Sequence, residues 1–495
     1  MAKFGELLSE LIRQKKYSIR ALAAEIGMPA TTLIKLCNGS RSLKKPNDKI
    51  EKLIHILMLT PEEQQQLEGA LQEEILGKDV YESRQNVKAI LENLSLVGIS
   101  PHLAKMQDLD DNMVAERKID VSRLLCIFLE NAAGKQERVD MIFQPSDVAI
   151  MEDLCHAIKT WPVRLRHLFA LSTAESAKSR LSASNIEYIR QVMPMLFGQS
   201  VGQYEGYYYY ERSLRNAGSG LMFDNIFLAG ESVLLCTQNF DGAIYLKNPE
   251  LHTFLQGRFN QQFSKSHSLS HSERNMIAQL GYQLQIAQQA EPSNEIAIVS
   301  WQPCLMRFVN PSDAEAYMPA EIPFRQEILD KYFSGYWPIL RKRKRFVLYC
   351  SAEGAVDFAS TGIIREIAGT ILNGALPKEF RRLLFSRLLS CARSGEVELH
   401  FFRESYLKLS KNALVIYFGS ETLCVGALDQ TAAGGFCFFE ECGLAWSVLD
   451  FLENLEPEKE IFSNEESCRG LEVILQRYLE DIHTSPSAAA TQTPE

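Results

Sequence analysis

Residues 18–39 read SIRALAAEIGMPATTLIKLCNG, and this stretch decides the architecture of the N-terminal region. Ser18 predicts the cap of one helix, because its hydroxyl can accept a backbone hydrogen bond where a helix begins. Gly27 predicts the tight turn after that helix, since glycine adopts a left-handed backbone without steric cost. Pro29 in the first turn and Gly39 past the end bound a second helix. The stretch therefore predicts two short helices joined by a turn.

Helical patterns continue on both sides of this pair. Apolar residues recur at three- and four-residue spacing over residues 4–12 and again over residues 50–57, which is typical of amphipathic helices. The sequence TPEE at residues 60–63 is a capping box with proline at the first helical position, and it opens a further helix,. Five short helices predict a compact all-α domain at residues 1–78.

The charge of this region differs from that of the rest of the chain. The chain as a whole carries a net charge of −10, which argues against a general nucleic-acid coat. Residues 1–50 carry ten Lys or Arg and four Asp or Glu, a net charge of +6. A basic head on an acidic body is typical of a module that meets a polyanion. A solvated basic surface is the alternative.

The helix pair resembles the helix-turn-helix of the Cro/phage-repressor (XRE) family. The small Ala23 lies where two such helices would cross, and the apolar residues of the second helix would bury its back so that its front faces a major groove. The resemblance covers residues 4 to about 75 and implies a DNA-binding head. The matching positions are Ser18, Leu22, Ala23, Gly27, Leu33, Leu36 and Gly39.

The resemblance also implies two groups of DNA contacts. The exposed face of the second helix would meet base edges, and basic residues beside it would contact phosphates. Ile19 and Ala30 depart from the family pattern, which often has glutamine at these positions, so amide side chains that read adenine are missing,. The predicted DNA-binding residues are Lys16, Ser18, Arg20, Pro29, Ala30, Thr31, Thr32, Ile34, Lys35, Asn38, Arg41, Lys44 and Lys45.

The rest of the chain predicts an α/β body. From about residue 139, short segments rich in β-branched and aromatic residues alternate with helical stretches, and LMRFV from Leu305 is among the predicted strands,. The fold class is thus multidomain, with an all-α helix-turn-helix head and a large α/β body containing mixed sheet. The predicted domains are the head at 1–78, a helical connector and possible dimerisation segment at 79–135 with a hinge at 105–118, a sensor-like α/β domain at 136–292, a second α/β or α+β domain at 293–482, and a disordered tail at 483–495.

Residues 225–264 are faintly similar to the end of a phospholipase-D-like unit that some regulators use as a sensor. None of the nine histidines begins an H-x-K motif, so the catalytic motif of phospholipase D is absent. The sequence also lacks the common metalloprotease, hydrolase, dinucleotide and P-loop motifs,. It therefore predicts that the chain is not an enzyme and needs no cofactor.

Three further clusters have two interpretations each. His267 and His271 lie in a Ser-rich segment, which favours a surface loop over a zinc site,. The basic run at 341–345 favours solvated surface over a phosphate site,. The tyrosines at 207–210 favour a strand that packs a core over a ligand pocket,. The 11 cysteines form no C-x-x-C pair, which is typical of reduced thiols,.

Together these features predict a cytoplasmic DNA-binding transcriptional regulator, such as a repressor. Its predicted partners are double-stranded operator DNA, a second copy of the chain and an unknown small-molecule or protein effector. A membrane is not among them, because no apolar run reaches the roughly 18 residues that a spanning helix needs,. The alternative is a protein-interaction scaffold with a degenerate head, in which Ile19, Ala30 and Ile34 form an apolar docking stripe. An enzyme with an unrecognised motif in the body is a third interpretation.

Overall fold

The chain divides into two compact units in a computed structural model. One unit comprises Met1–Val87 with Ala174–Glu187, and the other comprises Lys88–Thr173 with Tyr188–Glu495. Among the residues described below, no helix is long and apolar enough to cross a membrane. The structure describes residues 4–40, 48–94, 111–173, 182–197, 201–211, 223–273, 276–290, 295–365, 374–419, 421–427, 435–457 and 459–480.

Five helices form the head, as the sequence predicts. They enclose an apolar core whose centre is built from leucines contributed by every helix, all of them inaccessible to solvent: Leu8, Leu22, Leu33, Leu53 and Leu67. The helices are α1 (Phe4–Gln14), α2 (Ile19–Glu25), α3 (Ala30–Cys37), α4 (Asp48–Ile56) and α5 (Pro61–Leu76).

The ends of these helices are set by the residues that the sequence marks. Ser18 precedes α2, and its Oγ accepts a long hydrogen bond from the Ala21 backbone N–H at 3.5 Å. Gly27 has a φ of +65°, the left-handed backbone that permits a tight turn into α3. Thr60 forms the capping box of α5 with Glu63. Local capping therefore defines the two-helix unit before any long-range contact does.

The close approach of α1 to the end of α3 depends on a glycine. A Cβ atom built on Gly5 would lie 2.2 Å from the carbonyl oxygen of Leu36 and 3.0 Å from that of Cys37. Carbon and oxygen atoms in contact lie more than 3 Å apart, so no side chain fits at Gly5 without moving one helix. This position therefore fixes α3 against the rest of the head.

Two helices run from the first unit into the second. They are α6 (Lys78–Asn93) and, further along the chain, α9 (Ala183–Phe197). The residues that follow α6 differ from the predicted helical connector, since Asn112–Ala115 forms a strand, β1, before helix α7 (Lys118–Gly134). β1 pairs antiparallel with a later strand, so this part of the predicted hinge is held by backbone hydrogen bonds. Residues 105–110 lie outside the described residues.

The first sheet has eight strands, and three of its central strands are parallel. The order is β1-β7-β6-β5-β2-β3-β4-β8, with β2, β3 and β4 parallel and the remaining pairs antiparallel. Its elements are β2 (Arg138–Ile142), α8 (Val148–Thr160), β3 (Arg164–Ser172), β4 (Gln203–Glu211), β5 (Asn225–Ala229), β6 (Ser232–Cys236), β7 (Ala243–Lys247), α10 (Pro249–Phe263) and β8 (His267–Ser268), together with β1, α7 and α9.

The second sheet has seven strands in the order β12-β11-β10-β13-β14-β15-β9. The strands β10, β11 and β12 are parallel and the others antiparallel. Its elements are β9 (Ser270–Glu273), α11 (Met276–Gln289), β10 (Ile296–Ser300), α12 (Pro311–Tyr317), α13 (Arg325–Ile328), α14 (Trp337–Arg341), β11 (Phe346–Cys350), α15 (Ala352–Thr361), α16 (Lys378–Ser394), β12 (Glu398–Phe401), β13 (Ala413–Tyr417), β14 (Leu423–Ala427), β15 (Gly435–Phe439), α17 (Cys442–Glu453) and α18 (Asn464–Tyr478).

The two sheets share one topology. In each, three parallel strands follow one another along the chain, and three antiparallel strands continue from the first of them. The strand that opens each half, β1 or β9, then closes the edge against the last antiparallel strand. The predicted mixed-sheet α/β body is therefore a tandem repeat of one unit, and β8 is an addition to the first copy.

One predicted strand is wrong. The segment LMRFV from Leu305 contains a 3-10 helix, Met306–Phe308, rather than a strand. The side chains of Arg341 and Arg387 donate hydrogen bonds to the carbonyl oxygens of the last two residues of this helix, at 3.2 and 2.8 Å. These arginines satisfy carbonyl groups that a neighbouring strand would otherwise have to satisfy.

The tyrosine strand packs the core in part, since Tyr210 at its end is 44% exposed. Tyr204 and Tyr208 of β4 are buried, at 3% and 7% exposure. Tyr204 Oη lies 2.9 Å from Nδ1 of the fully buried His167, whose Nε2 lies 3.0 Å from the carbonyl oxygen of Phe143. Since a carbonyl can only accept, Nε2 carries the proton and Nδ1 accepts from the tyrosine. Burial lowers the pKa of His167 from 6.5 to about 3.

Acidification is expected to destabilise the second unit through His167. The unfolded chain protonates this imidazole below pH 6.5, whereas the folded chain keeps it neutral down to about pH 3. The free energy of unfolding is therefore unaffected by this group above pH 6.5, and below pH 6.5 it falls by about 1.4 kcal/mol per pH unit. Denaturant titrations at pH 7, 6 and 5 measure how the free energy of unfolding depends on pH. The free energy of His167→Gln should depend less steeply on pH than that of the wild type. An equal dependence would show that His167 does not cause the loss of stability.

Candidate nucleic-acid interface

Within the described part of the head, α3, the recognition helix expected from the sequence, packs against α1 and α2 through its buried side. Leu33 and Leu36 are at most 1% exposed and pack with Leu22 and Ala23 of α2. Gly5 brings α1 against the end of α3. The helix is therefore a fixed element of the head, and its opposite side is available for contact.

The exposed side of α3 presents one apolar side chain, one hydroxyl and one cation. Thr31, Ile34 and Lys35 are exposed, with Ile34 at 43%, while Ala30 and Thr32 are partly exposed. Thr31 lies three residues before Ile34 and four before Lys35, so the three side chains lie along one face of the helix. This face offers methyl groups, one hydroxyl and one ammonium group.

Two of the predicted phosphate contacts lie at the start of the helix-turn-helix. Lys16 and Arg20 are exposed, and none of the ion pairs between described residues involves either side chain. Lys16 has a φ of +57°, a left-handed backbone that reverses the chain between α1 and α2. Arg41, Lys44 and Lys45 lie outside the described residues, so their predicted role stays a prediction.

Three other predicted residues act at helix ends. Ser18 caps α2, and Pro29 precedes α3 and is exposed. Asn38 follows α3, and its Oδ1 accepts a hydrogen bond from the Ser40 backbone N–H at 3.1 Å. The Asn38 amide is thereby committed to the turn, and it cannot pair with adenine through both of its polar atoms while that bond persists.

Two lysines that were not predicted stabilise the head instead of extending the basic surface. Lys15 lies 2.7 Å from Glu63, and this hydrogen bond and that from the Thr60 backbone lower the pKa of Glu63. Lys49 Nζ donates to the carbonyl oxygen of Gly27 at 2.8 Å and so secures the turn before α3. Both partners are distant along the chain from their lysines, so the sequence did not predict these contacts.

Thr31→Ala is expected to relax the sequence preference of the head. A base-edge contact distinguishes sequences, so the affinity for the preferred site should fall by about 1–3 kcal/mol while other sequences change little. Lys16→Ala serves as the matched comparison, since the loss of a phosphate contact weakens all sequences alike. Fluorescence anisotropy on preferred and scrambled duplexes measures both. An equal loss on the two duplexes for Thr31→Ala would contradict the assigned register of α3.

The basic run at 341–345 is only in part the predicted solvated surface. Its two lysines are exposed, but Arg343 is 8% exposed and donates to the carbonyl oxygen of Ala290 at 2.7 Å. Arg345 pairs with Glu398 at 2.9 Å, and this hydrogen bond raises the pKa of Arg345. The arginines therefore hold elements of the second sheet together.

His267 and His271 lie in the short strands β8 and β9 rather than in the predicted loop. Within the described ranges, no group of three His, Cys, Asp or Glu side chains is placed to hold a metal ion. The ten cysteines other than Cys442 are free thiols, and most of them are buried.

The second unit contains a cavity of about 250 Å³ where the last turns of α6 meet α8 and α9. Most of its lining is apolar, and Glu152 and Arg190 add one charge of each sign. Small-molecule sites are commonly apolar cavities of about 300–1,000 Å³ with a few polar groups. This cavity is slightly smaller than that range. Its lining includes Ile90, Leu94, Met151, Cys155, Met193 and Phe197.

Comparisons with known proteins assign no family. No protein-family model matches the chain, and no curated protein matches it. The chain is similar to the crystal structure of a phosphatidylserine synthase from Haemophilus influenzae, with 10% identity and a TM-score of 0.23 over 79% of this chain and 96% of that one. It is also similar to TrmBL2, an archaeal chromatin protein with a novel mode of DNA binding, with 14% identity and a TM-score of 0.20 over 53% of this chain and 99% of that one.

These similarities bear on the prediction about enzyme activity and not on the Cro/phage-repressor resemblance. The prediction that the chain is not an enzyme is not retained, since the structures to which the chain is similar include that of a phosphatidylserine synthase. At TM-scores of 0.23 and 0.20, the two similarities transfer neither activity nor DNA binding to this chain. The Cro/phage-repressor resemblance of residues 4 to about 75 gains no support from these comparisons and stays a prediction.

Proposed function

We propose that the chain is a DNA-binding transcriptional regulator whose head reads duplex DNA and whose two-sheet body responds to an effector. The exposed face of α3 is the observation that carries this proposal. It lies on a helix that is buried on its other side, and the exposed cations Lys16 and Arg20 stand at the start of the helix-turn-helix. Phosphate contacts position such a helix, and base edges are read by its exposed face.

Binding of the full chain to duplex DNA tests the proposal. The probe is a set of labelled fragments covering the promoter region of its own gene, with a random-sequence duplex as the reference. Affinity is measured at 50 and 200 mM salt, and it should fall steeply because phosphate contacts release counterions. If no fragment shows salt-sensitive binding, DNA binding by the head is refuted.

A homodimer is part of the same proposal. Helix-turn-helix dimers read two half-sites about 34–36 Å apart, one helical turn of DNA. Two tethered heads gain affinity because the second contact becomes intramolecular, by about 10²–10⁴-fold. Light scattering of the full chain, with and without a palindromic duplex, measures the stoichiometry. One chain per duplex at saturation would exclude the dimer.

The cavity between α6, α8 and α9 is the proposed effector site. Its lining includes Ala89 and Ile90 of α6, the helix whose first residues belong to the same unit as the head. A ligand that prefers one position of α6 would shift the population of DNA-competent chains. Ala89→Trp, which fills the cavity, should abolish ligand-induced changes in melting temperature across a metabolite panel. If the wild type and Ala89→Trp respond alike to the metabolite panel, this effector site is excluded.

The protein-interaction scaffold remains the second candidate, and the exposure of Ile34 favours it. An apolar side chain that is 43% exposed can dock against a protein as well as enter a DNA groove,. Lys35→Glu together with Arg41→Glu distinguishes the two functions. DNA binding should collapse in this variant, whereas a protein partner that packs on Ile34 should still bind.

A further inference from the structure

The exposed face of α3 has an unusual chemical composition for a surface that reads DNA. Its central residue is Ile34, with Thr31 beside it and, one turn before it, Ala30, which is partly exposed and also packs against the core of the head. Direct reading of guanine or adenine normally uses Arg, Lys, Asn or Gln with two hydrogen bonds to the base. Lys35 is the one residue of this type along the helix face, and Asn38 at its end already bonds to Ser40.

The major groove offers one apolar group among the four bases. This group is the C5-methyl of thymine, and 5-methylcytosine carries the same methyl group at the same place. Ile34 pressed against any other base edge would cover polar atoms without giving them a hydrogen bond, which is unfavourable. Against a 5-methyl group it would remove apolar surface of both partners from water.

On the basis of the DNA-binding function proposed above, we propose that α3 selects 5-methylpyrimidines through Ile34 and Ala30. Each half-site then contains one or two thymines whose methyl groups contact this pair, and Thr31 adds a hydrogen bond or a further methyl contact. Hydrogen-bond donors and acceptors of neighbouring bases contribute less to selection. The preferred operator is therefore defined by the methyl groups of its thymines.

Replacement of thymine by deoxyuridine tests the proposal, because it removes the methyl group and leaves base pairing intact. The preferred duplex is first selected from a random library with the full chain. Each thymine is then replaced singly by deoxyuridine, and affinity is measured by anisotropy. One or two positions per half-site should lose about fourfold in affinity, the value for one buried methyl group. At those positions, duplexes with 5-methylcytosine should bind more tightly than duplexes with cytosine by a similar factor. Equal binding of the two would overturn the selection of 5-methylpyrimidines as a class.

Two variants of the head assign the effect to Ile34. Ile34→Ala removes most of the apolar surface, so at least one thymine position that responds in the wild type should no longer respond to deoxyuridine replacement. Met58→Ala is the matched control, since Met58 is also an exposed apolar residue of the head, at 84% exposure, but lies beyond the end of α4. This variant should keep the full sensitivity. Melting temperatures confirm that both variants are folded.

The possible failures are distinguishable. If the wild-type chain binds no duplex at all, the proposed DNA-binding function is overturned together with this inference. If it binds but no thymine position responds to deoxyuridine, the function stands and methyl reading is overturned. Full sensitivity at every responding position in Ile34→Ala assigns the methyl contacts to other residues and likewise overturns the role of Ile34.

Discussion

Charge reversal at Arg20 and Lys35 is expected to lower the affinity of the full chain for duplex DNA by about 10²-fold or more. Each hydrogen bond to a charged group contributes about 1.5–3 kcal/mol, and a carboxylate in the same place also repels phosphate. The slope of log affinity against log salt should become shallower by about two units. Anisotropy at four salt concentrations measures both quantities.

The control for this experiment carries the same change in net charge in the second unit instead of the head. Lys135→Glu with Lys265→Glu alters two exposed lysines of the second unit. Its affinity and salt slope should stay close to those of the wild type. If both double variants lose affinity equally, binding reflects the overall charge of the chain, and the assigned interface is wrong.

Gly5→Ala is expected to unfold the head and so to abolish DNA binding without unfolding the body. The new Cβ would lie 2.2 Å from the Leu36 carbonyl oxygen, so α1 and α3 must separate. Overpacking of this kind costs about 1–3 kcal/mol or more, a large fraction of the stability of a small domain. Proteolysis followed by mass spectrometry would show cleavage within residues 4–40, and the melting transition of the second unit should be retained.

A glycine in an open environment provides the comparison. Gly257 lies within α10, and a Cβ built there meets no atom within 4 Å. Gly257→Ala should leave the protein unchanged or stabilise it by up to about 1 kcal/mol, since alanine favours helix more than glycine does. A Gly5→Ala protein as stable as Gly257→Ala would show that α1 does not fix α3.

The head was predictable because its signals are local. Ser18, Gly27 and the capping box at Thr60 each act within four residues, and the structure shows all three. The exposed and buried faces of α3 also follow from helical spacing alone. The bond of Lys49 to the Gly27 carbonyl spans 22 residues, and no local pattern marks it.

The body was predictable in its elements and less so in its topology. Apolar segments such as β10 and β11 were recognised from composition, but their order in the sheet depends on pairing between distant residues. β1 and β9 are short and their sequences, NMVA and SHSE, carry little strand signal. Without these two strands, the sequence did not indicate that the body consists of two copies of one unit. The 3-10 helix at Met306–Phe308 was missed because distant arginines stabilise it.

The tandem topology has a consequence for how the chain folds during synthesis. Every strand of the first sheet lies between residues 112 and 268, so that sheet can be completed as soon as this part has left the ribosome. β9 is different, because its partner β15 begins only at Gly435. At about 5–20 residues per second, the ribosome needs on the order of ten seconds or more to supply that partner. During this interval β9 lacks its partner strand, and the unpaired backbone of the nascent second half is open to chaperones and to pairing with other chains.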